Sequence, residues 1–400
     1  KSGKRYRDYF DSFNMWINGE RVTNVSFEKG KDNTYFIVKF PKSTVKSLTV
    51  EASQWAGAGN LSLTEVAFYE YGDLDDSITA LFANDSHTAL AEGVDQDKID
   101  ALRARAKDAD AYYVNRELLL DELDNAQQLL EKKDSELNVR TGFTSRTASA
   151  DGQYGQSASA LQPLGLSALS NQSISLYVEG VQEGDSIKLV QWQQYSETSA
   201  TTKSYELHNG RNRIWLSQIG NSGSGERGGS LYIEYSGSNA DGIKIQVRDT
   251  SANKNVITQI PYLNIQPSQW YEKSEDERKA LLTPYVEALK THVSGLTFAN
   301  DPSKKTNTKN ATEIATPSVL LSLPADQVLA GLGGASASTE DMTNQLYRAI
   351  VAWEQLIFLA NKTQGIISAD QAFDSYEYPM QTRQNIRFSR LFSGAFMFAA

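Results

Sequence analysis

The chain has no cysteine among its 400 residues. Disulfide scaffolds, thiolate nucleophiles and Cys-ligated zinc sites are therefore all excluded. An oxidising compartment would do such a chain no harm, so a secreted bacterial protein fits this composition, and a cytosolic one fits it as well. Only 3 histidines are present, His87, His208 and His292. They lie far apart in the sequence, none at the i, i+4 spacing that brings two imidazoles to one metal, and no H-E-x-x-H occurs. Each reads as a surface or packed histidine. No G-x-S-x-G, P-loop or EF-hand series is found, no apolar run reaches membrane-spanning length, and no signal peptide opens the chain. Basic residues are in deficit: Lys and Arg number 39 against 49 Asp and Glu, a net charge of −10. That balance disfavours a general binder of nucleic acid or anionic membrane, which needs clustered cations to displace counterions from phosphate.

What is present is an apolar fraction of 40%, enough for several cores and two or three domains, with 19 tyrosines and 6 tryptophans. Flat aromatic faces with polar tips suit sugars and peptides, although most such side chains serve as core or rim. The last eleven residues (RLFSGAFMFAA) are unusually apolar for a chain terminus. Phe392, Phe396, Met397 and Phe398 lead us to expect further polypeptide or a partner over them.

Four segments follow from periodicity. From Thr34 to Tyr71, alternation through Phe36, Val38 and Phe40, then Leu48, Val50 and Ala52, then Leu61 and Leu63, predicts the C-terminal part of an antiparallel β domain over residues 1–75. Residues 76–138 show 3/4 spacing at Ile99, Leu102, Ala106, Ala109 and Tyr113, and again at Leu119, Leu123, Ala126 and Leu130. The phase slips between Tyr113 and Leu119, so one kinked helix and two packed ones both fit, and the segment reads as a spacer or stalk. Asp95, Asp97 and Asp100 favour a helix N-terminus over calcium. Strand patterning returns over 139–262 at Ile174, Leu176 and Val178, Ile187 and Leu189, Ile214 and Leu216, Leu231 and Ile233, and Ile243, Ile245 and Val247. Gly180, Gly184-Asp185, Asn209-Gly210 and Asp241-Gly242 mark the turns, which predicts an independent β-sandwich. From 263 to 400 the pattern is helical. Pro284 threatens the first helix, Ser338 and Asp341 form a capping box before the second, and the runs Lys304 to Asn310 and Gly331 to Ser338 read as exposed loops.

Gly223, Gly225 and Gly228 have G-x-G-x-x-G spacing, but a strand follows them where a dinucleotide site needs a helix. Glu226-Arg227-Gly228-Gly229 reads as a structural turn, with close approach to a ligand as the alternative. Trp16 beside Asn18-Gly19, and Trp55 beside Gly57 and Gly59, are candidate sugar-stacking indoles, with burial the commoner fate. Sequons at Asn24, Asn60, Asn84, Asn171, Asn310 and Asn361 reflect Asn/Ser/Thr-rich composition and require no glycosylation.

The order of these pieces resembles the M60-like (enhancin-like) zinc metallopeptidases. It is carried by SLTVEASQWAGAGNLSLTEVAFYEY, by GDSIKL, NGRNRI and ERGGSLYIEY, and by RFSRLFSGAFMFAA. The resemblance implies a multidomain α+β fold: a galactose-binding-like sandwich, a helical linker, the accessory sandwich of the family and the helical start of its catalytic domain. It implies a secreted or surface-attached bacterial enzyme that cleaves mucin-type O-glycosylated proteins and recognises their glycans; the charge balance and the lack of a spanning apolar run add the expectation of no nucleic-acid partner and no membrane insertion. Zinc is implied for the complete enzyme. The H-E-x-x-H helix is expected downstream of Ala400, so no catalytic, substrate-binding or metal-ligating role falls on any residue here. The alternative is a non-enzymatic carbohydrate-binding or adhesion protein.

Overall fold

A computed structural model describes residues 10–21, 26–29, 36–39, 45–55, 73–84, 87–109, 111, 113, 116–131, 139–145, 160–192, 202–219, 228–250, 253, 255–296, 308–373 and 383–387. The architecture is mixed α+β. Near the N-terminus lie β1 (Phe10–Ile17), β2 (Glu20–Arg21), β3 (Ser26–Lys29), β4 (Phe36–Lys39) and β5 (Leu48–Trp55). Strand β1 pairs antiparallel with both β2 and β5, and β3 pairs with β4. Asn18 and Gly19, at φ 53° and 84°, supply the two positive-φ positions of the turn from β1 to β2. The Asn18 Oδ1 accepts the N–H groups of Lys46 and Ser47 at 2.7 and 3.1 Å, which ties that turn to the approach of β5. Leu61, Leu63 and the run to Tyr71 lie outside the described residues.

Three helices follow: α1 (Asp73–Thr79), α2 (Gln96–Lys107) and α3 (Arg116–Leu130). Asp95 caps α2 by accepting the Lys98 N–H at 2.9 Å. The slip in apolar phase is a break between separate helices, because α2 ends at Lys107, before Ala109 and Tyr113. Leu74, Ile78, Ile99, Ala106, Leu119, Leu123 and Ala126 make one core among them. These helices form a packed unit.

The next nine strands are β6 (Val139–Arg140), β7 (Gln162–Leu169), β8 (Gln172–Glu179), β9 (Ser186–Trp192), β10 (Thr202–Glu206), β11 (Gly210–Leu216), β12 (Gly228–Ser236), β13 (Lys244–Asp249) and β14 (Ile257–Gln259). They build two antiparallel sheets, ordered β10-β9-β12-β7-β14 and β11-β8-β13-β6. Leu164, Leu166, Leu189, Leu231 and Ile233 from the first meet Ile174, Leu176, Val178, Ile245 and Val247 from the second in a common core. Period-two alternation sends the intervening residues outward, to the two outer faces of this sheet pair.

The C-terminal region contains β15 (Tyr262–Asn264), α4 (Pro267–Trp270), α5 (Glu275–Gly295), β16 (Thr312–Ala315), β17 (Val319–Leu323), α6 (Ala325–Gly331), α7 (Thr339–Thr363) and β18 (Gln384–Arg387). The expectation of helices alone after residue 263 is corrected by a four-stranded mixed sheet, β15-β16-β17-β18. Its outer pairs are parallel and its central pair antiparallel. Leu263, Ile314, Val319 and Leu321 of this sheet pack against Leu282, Val286 and Leu289 of α5 and Met342, Leu346 and Ile350 of α7. Pro284 does not break α5. A proline there forfeits one backbone hydrogen bond, and the buried Leu282, Tyr285, Val286 and Leu289 on both sides of it hold the helix together. Ser338 caps α7 as expected, accepting the Asp341 N–H at 3.0 Å. Within the expected polar loop, Thr308 and Asn310 are buried. Residues 390–400 lie outside the described residues.

Gly228 opens β12 at φ 144°, and a Cβ there would fall 2.1 Å from the Ala168 carbonyl oxygen on β7. Gly228→Ala is expected to destabilise the fold by more than about 1 kcal/mol, since backbone must shift to admit the methyl group. Urea denaturation checks it: the midpoint falls with an unchanged slope.

Candidate functional site

The described residues that carry concentrated chemistry form three buried polar clusters, each at a junction between elements. The first joins α3 to the outer face of the β11-β8-β13 sheet. Register places Arg211, Tyr177 and Gln246 in one rank across three strands, and Arg213, Ser175 and Arg248 in the next. Glu122 of α3 reaches that face. Its Oε1 accepts from Arg211 Nη1 at 2.5 Å and from the Tyr177 hydroxyl at 3.2 Å, and its Oε2 lies 2.6 Å from His87 Nδ1. The His87 ring is stacked between Phe82 and Tyr177, with centroids 4.1 and 5.6 Å away. Arg213 donates to Glu117 at 3.0 Å and stands 3.7 Å from Asp121, while Arg248 donates to the Asn125 side chain and to the Asp124 carbonyl oxygen at 3.3 Å.

Burial alone pushes the Glu122 carboxyl up, but Arg211 and His87, by charge and by hydrogen bond, outweigh it and hold it at about 2. Burial, and then the Glu122 charge, push the Tyr177 phenol well above its usual range. Tyr177 is thus a fixed neutral donor.

The second cluster joins the other outer face of the sheet pair to the mixed sheet. Tyr232 of β12 donates to Glu313 Oε1 at 2.5 Å, and Ser322 of β17 donates to Glu313 Oε2 at 2.6 Å. Leu161, Val190 and Tyr232 pack there on Ala315 and Leu320. Ser167 of β7 donates to the Thr308 carbonyl oxygen at 2.8 Å. The region expected to stand as an independent sandwich therefore has an outer face buried by the next element.

The third cluster pins α7. Glu354 accepts from Thr316 Oγ1 at 2.6 Å and from Ser318 Oγ at 2.7 Å through one oxygen, and from the Tyr271 hydroxyl at 3.2 Å through the other. Arg383 then donates to the Thr316 carbonyl oxygen at 2.5 Å, linking the entry to β18 to the same turn.

In these clusters the carboxylates are held by donors inside packed junctions, while the Ser175 hydroxyl and the Gln246 side-chain oxygen of the first are buried without a hydrogen-bond partner. Among the described residues no three His, Cys, Asp or Glu side chains converge in a way that could hold a metal. His292 Nε2 contacts the Lys309 carbonyl oxygen at 2.8 Å, His208 Nδ1 contacts the Asn209 carbonyl oxygen at 3.1 Å, and His87 is engaged with Glu122. Burial holds the His292 imidazole below its usual pKa. The zinc that the resemblance implies therefore does not fit the described residues, and no step through a metal can be derived from them.

Gly228 begins a strand, while Gly223, Gly225, Glu226 and Arg227 lie outside the described residues. Trp16 is half-buried on β1 next to the exposed Asn18-Gly19 turn, whereas the Trp55 side chain, Gly57 and Gly59 are not described. Asn310 and Asn361 are fully buried, which is incompatible with glycosylation of either sequon in the folded chain. Sequence reasoning missed all three buried clusters. The available signal was acidic residues at Asp121 and Glu122 inside an apolar helical stripe.

The sequence matches no family model, and no curated protein matches it. Solved structures match in fold. Against the structure of the CBM32-1, CBM32-2 and M60 catalytic domains of ZmpB from Clostridium perfringens, the TM-score is 0.53 at 16% identity, over 96% of this chain and 37% of that one. The chain resembles the M60-like metallopeptidases in fold. Weaker likenesses include the M60 catalytic domain of Clostridium perfringens ZmpC in complex with the sialyl T antigen (TM-score 0.45, 18% identity, 65% of this chain and 46% of that one). A metallopeptidase from Bacteroides thetaiotaomicron gives a TM-score of 0.43 at 14% identity, over 74% of this chain and 42% of that one. The chain spans less than half the length of each of these structures.

Two outcomes test the clusters. The Glu122 carboxyl is held below its ordinary 4.5, so the stability it supplies is complete above about pH 4.5 and is lost as pH falls toward about 2. The amount is on the order of 3 kcal/mol. Glu122→Gln is expected to flatten the acid limb of a stability-versus-pH curve between those values; an unchanged limb would show that the pairing contributes nothing. Tyr232→Phe removes a donor from buried Glu313 and is expected to cost about 1–3 kcal/mol, read as a lower thermal midpoint.

Proposed function

We propose that this chain is part of a secreted or surface-attached bacterial zinc metallopeptidase of the M60-like type. It acts on mucin-type O-glycosylated proteins, with its β domains contributing glycan recognition. The observation that carries this reading is the shared fold over 96% of the chain with a structure that holds two CBM32 domains and an M60 catalytic domain. In this reading residues 1–75 belong to a galactose-binding-like sandwich, 76–138 link it to an accessory sandwich over 139–262, and 263–400 open the catalytic domain.

The chemistry of its own residues gives this part of the protein a scaffolding and positioning role. The mixed sheet and α5 to α7 are anchored to the sheet pair through Tyr232, Glu313 and Ser322, so whatever the C-terminal region carries is held at a set position. Zinc, a general base and peptide hydrolysis belong, on this proposal, to residues outside the described set. No described helix is long and apolar enough to cross a membrane. The half-buried Trp16 beside an exposed turn favours a second reading, a non-enzymatic carbohydrate-binding or adhesion protein.

The 400-residue chain incubated with a mucin-type glycoprotein is expected to show no chelator-sensitive cleavage. A longer protein containing this chain together with an H-E-x-x-H helix is expected to cleave it, and chelation to abolish that cleavage. Chelator-sensitive cleavage by the 400 residues alone would overturn the placement of the active site. Glycan binding without cleavage by the longer protein would overturn the peptidase reading in favour of the second.

A further inference from the structure

Helix α3 lies between two surfaces of opposite chemistry. Leu119, Leu123 and Ala126 face the helical core with Ile99, Ala106, Leu74 and Ile78. Glu122 and Asn125, both fully or almost fully buried, face the β11-β8-β13 sheet instead. An apolar contact between a helix and a sheet tolerates sliding, because area is roughly conserved when one turn replaces another. A buried charged contact does not. Each group that loses its partner keeps its desolvation cost, so only the register that pairs all of them is stable.

The pairing here extends along two turns of α3 and across three strands. Glu122 engages Arg211, His87 and Tyr177; Glu117 and Asp121 engage Arg213; Asp124 and Asn125 engage Arg248. The Asn125 amide also donates to the His87 carbonyl oxygen at 2.8 Å, which joins the α1–α2 connection to the same network. A slip of α3 by one turn, about 5.4 Å, would break every one of these contacts.

We propose that the α1–α3 unit is a rigid strut clamped to the sheet pair in one register by this charge cluster. The described helices then hold one position on the sheet pair. The clamp consists of the charge cluster alone and holds whether or not the protein is a peptidase.

The absence of cysteine makes the test direct. Cysteines introduced by Ala104→Cys on α2 and Ser204→Cys on β10, both exposed positions, carry spin labels in the full 400-residue chain, and pulsed dipolar spectroscopy reads the distance between them. One narrow distance peak is expected, with loss of the single peak in Glu122→Leu, which strands Arg211 and His87. A broad or multi-peaked distribution in the chain with native Glu122, or an unchanged narrow peak in Glu122→Leu, overturns the proposal. Should Glu122→Leu fail to fold, the label pair with native Glu122 is measured at about 0.1 and 1 M salt, where exposed pairs are screened and buried ones little affected. A peak that stays narrow at both keeps the clamp; broadening at high salt overturns it.

Discussion

A carboxylate removed from water must recover its solvation from charges and donors inside the protein, and its position is then fixed by theirs. Glu122, Glu313 and Glu354 are all fully or almost fully buried, and each stands where two parts of the chain meet. Glu122 binds the helical unit to one face of the sheet pair, Glu313 binds the mixed sheet to the other, and Glu354 binds α7 to the turn between β16 and β17. Apolar burial supplies most of the driving force for each contact. Each of the three glutamates adds to that apolar contact a set of donors that only one arrangement of the two parts supplies.

Much of the sheet pair was legible in the sequence, because its strands have one face in a core and the other outward. Ile174, Leu176 and Val178 or Ile245 and Val247 alternate with polar residues as period two demands. The caps at Asp95 and Ser338 were legible for a similar reason: local chemistry alone determines them. The mixed sheet was not. Thr312 to Ala315 is buried at every position, so it shows no alternation; Thr308 and Asn310, inside the run read as an exposed loop, are buried, and so are the polar Thr312, Glu313, Thr316 and Ser318 that follow. Its partners Tyr262 to Asn264 and Gln384 to Arg387 are short and distant in sequence, and parallel pairing leaves no hairpin signal.

The candidate site was still less legible. Arg211, Tyr177, Gln246, Arg213, Ser175 and Arg248 occupy the polar positions of their strands, which alternation assigns to solvent. The helix that covers them carries its matching carboxylates within an otherwise leucine-rich stretch. Only the register between strands far apart in sequence brings three arginines to one face. The amphipathic pattern of residues 76–138 likewise does not reveal that the polar side of α3 is also covered.

The two outer faces of the sheet pair differ in chemistry, and that difference bears on how the parts come together. The face that meets the mixed sheet presents Leu161, Val190 and Tyr232; uncovered, it would be an apolar patch prone to association. It has to be covered by the polypeptide that follows it. The face that meets α3 presents arginines, a tyrosine, a glutamine and a serine, which water solvates well. Leaving it uncovered carries little penalty, so its docking rests on complementarity of charge and on the apolar core that the helices bring with them. A junction of the first kind is held by area and tolerates small changes in side-chain shape. A junction of the second kind is held by matching, and the loss of one member leaves its partners buried and unpaired. The register of the helices on the sheet pair is therefore concentrated in a few residues, with Glu122 at their centre.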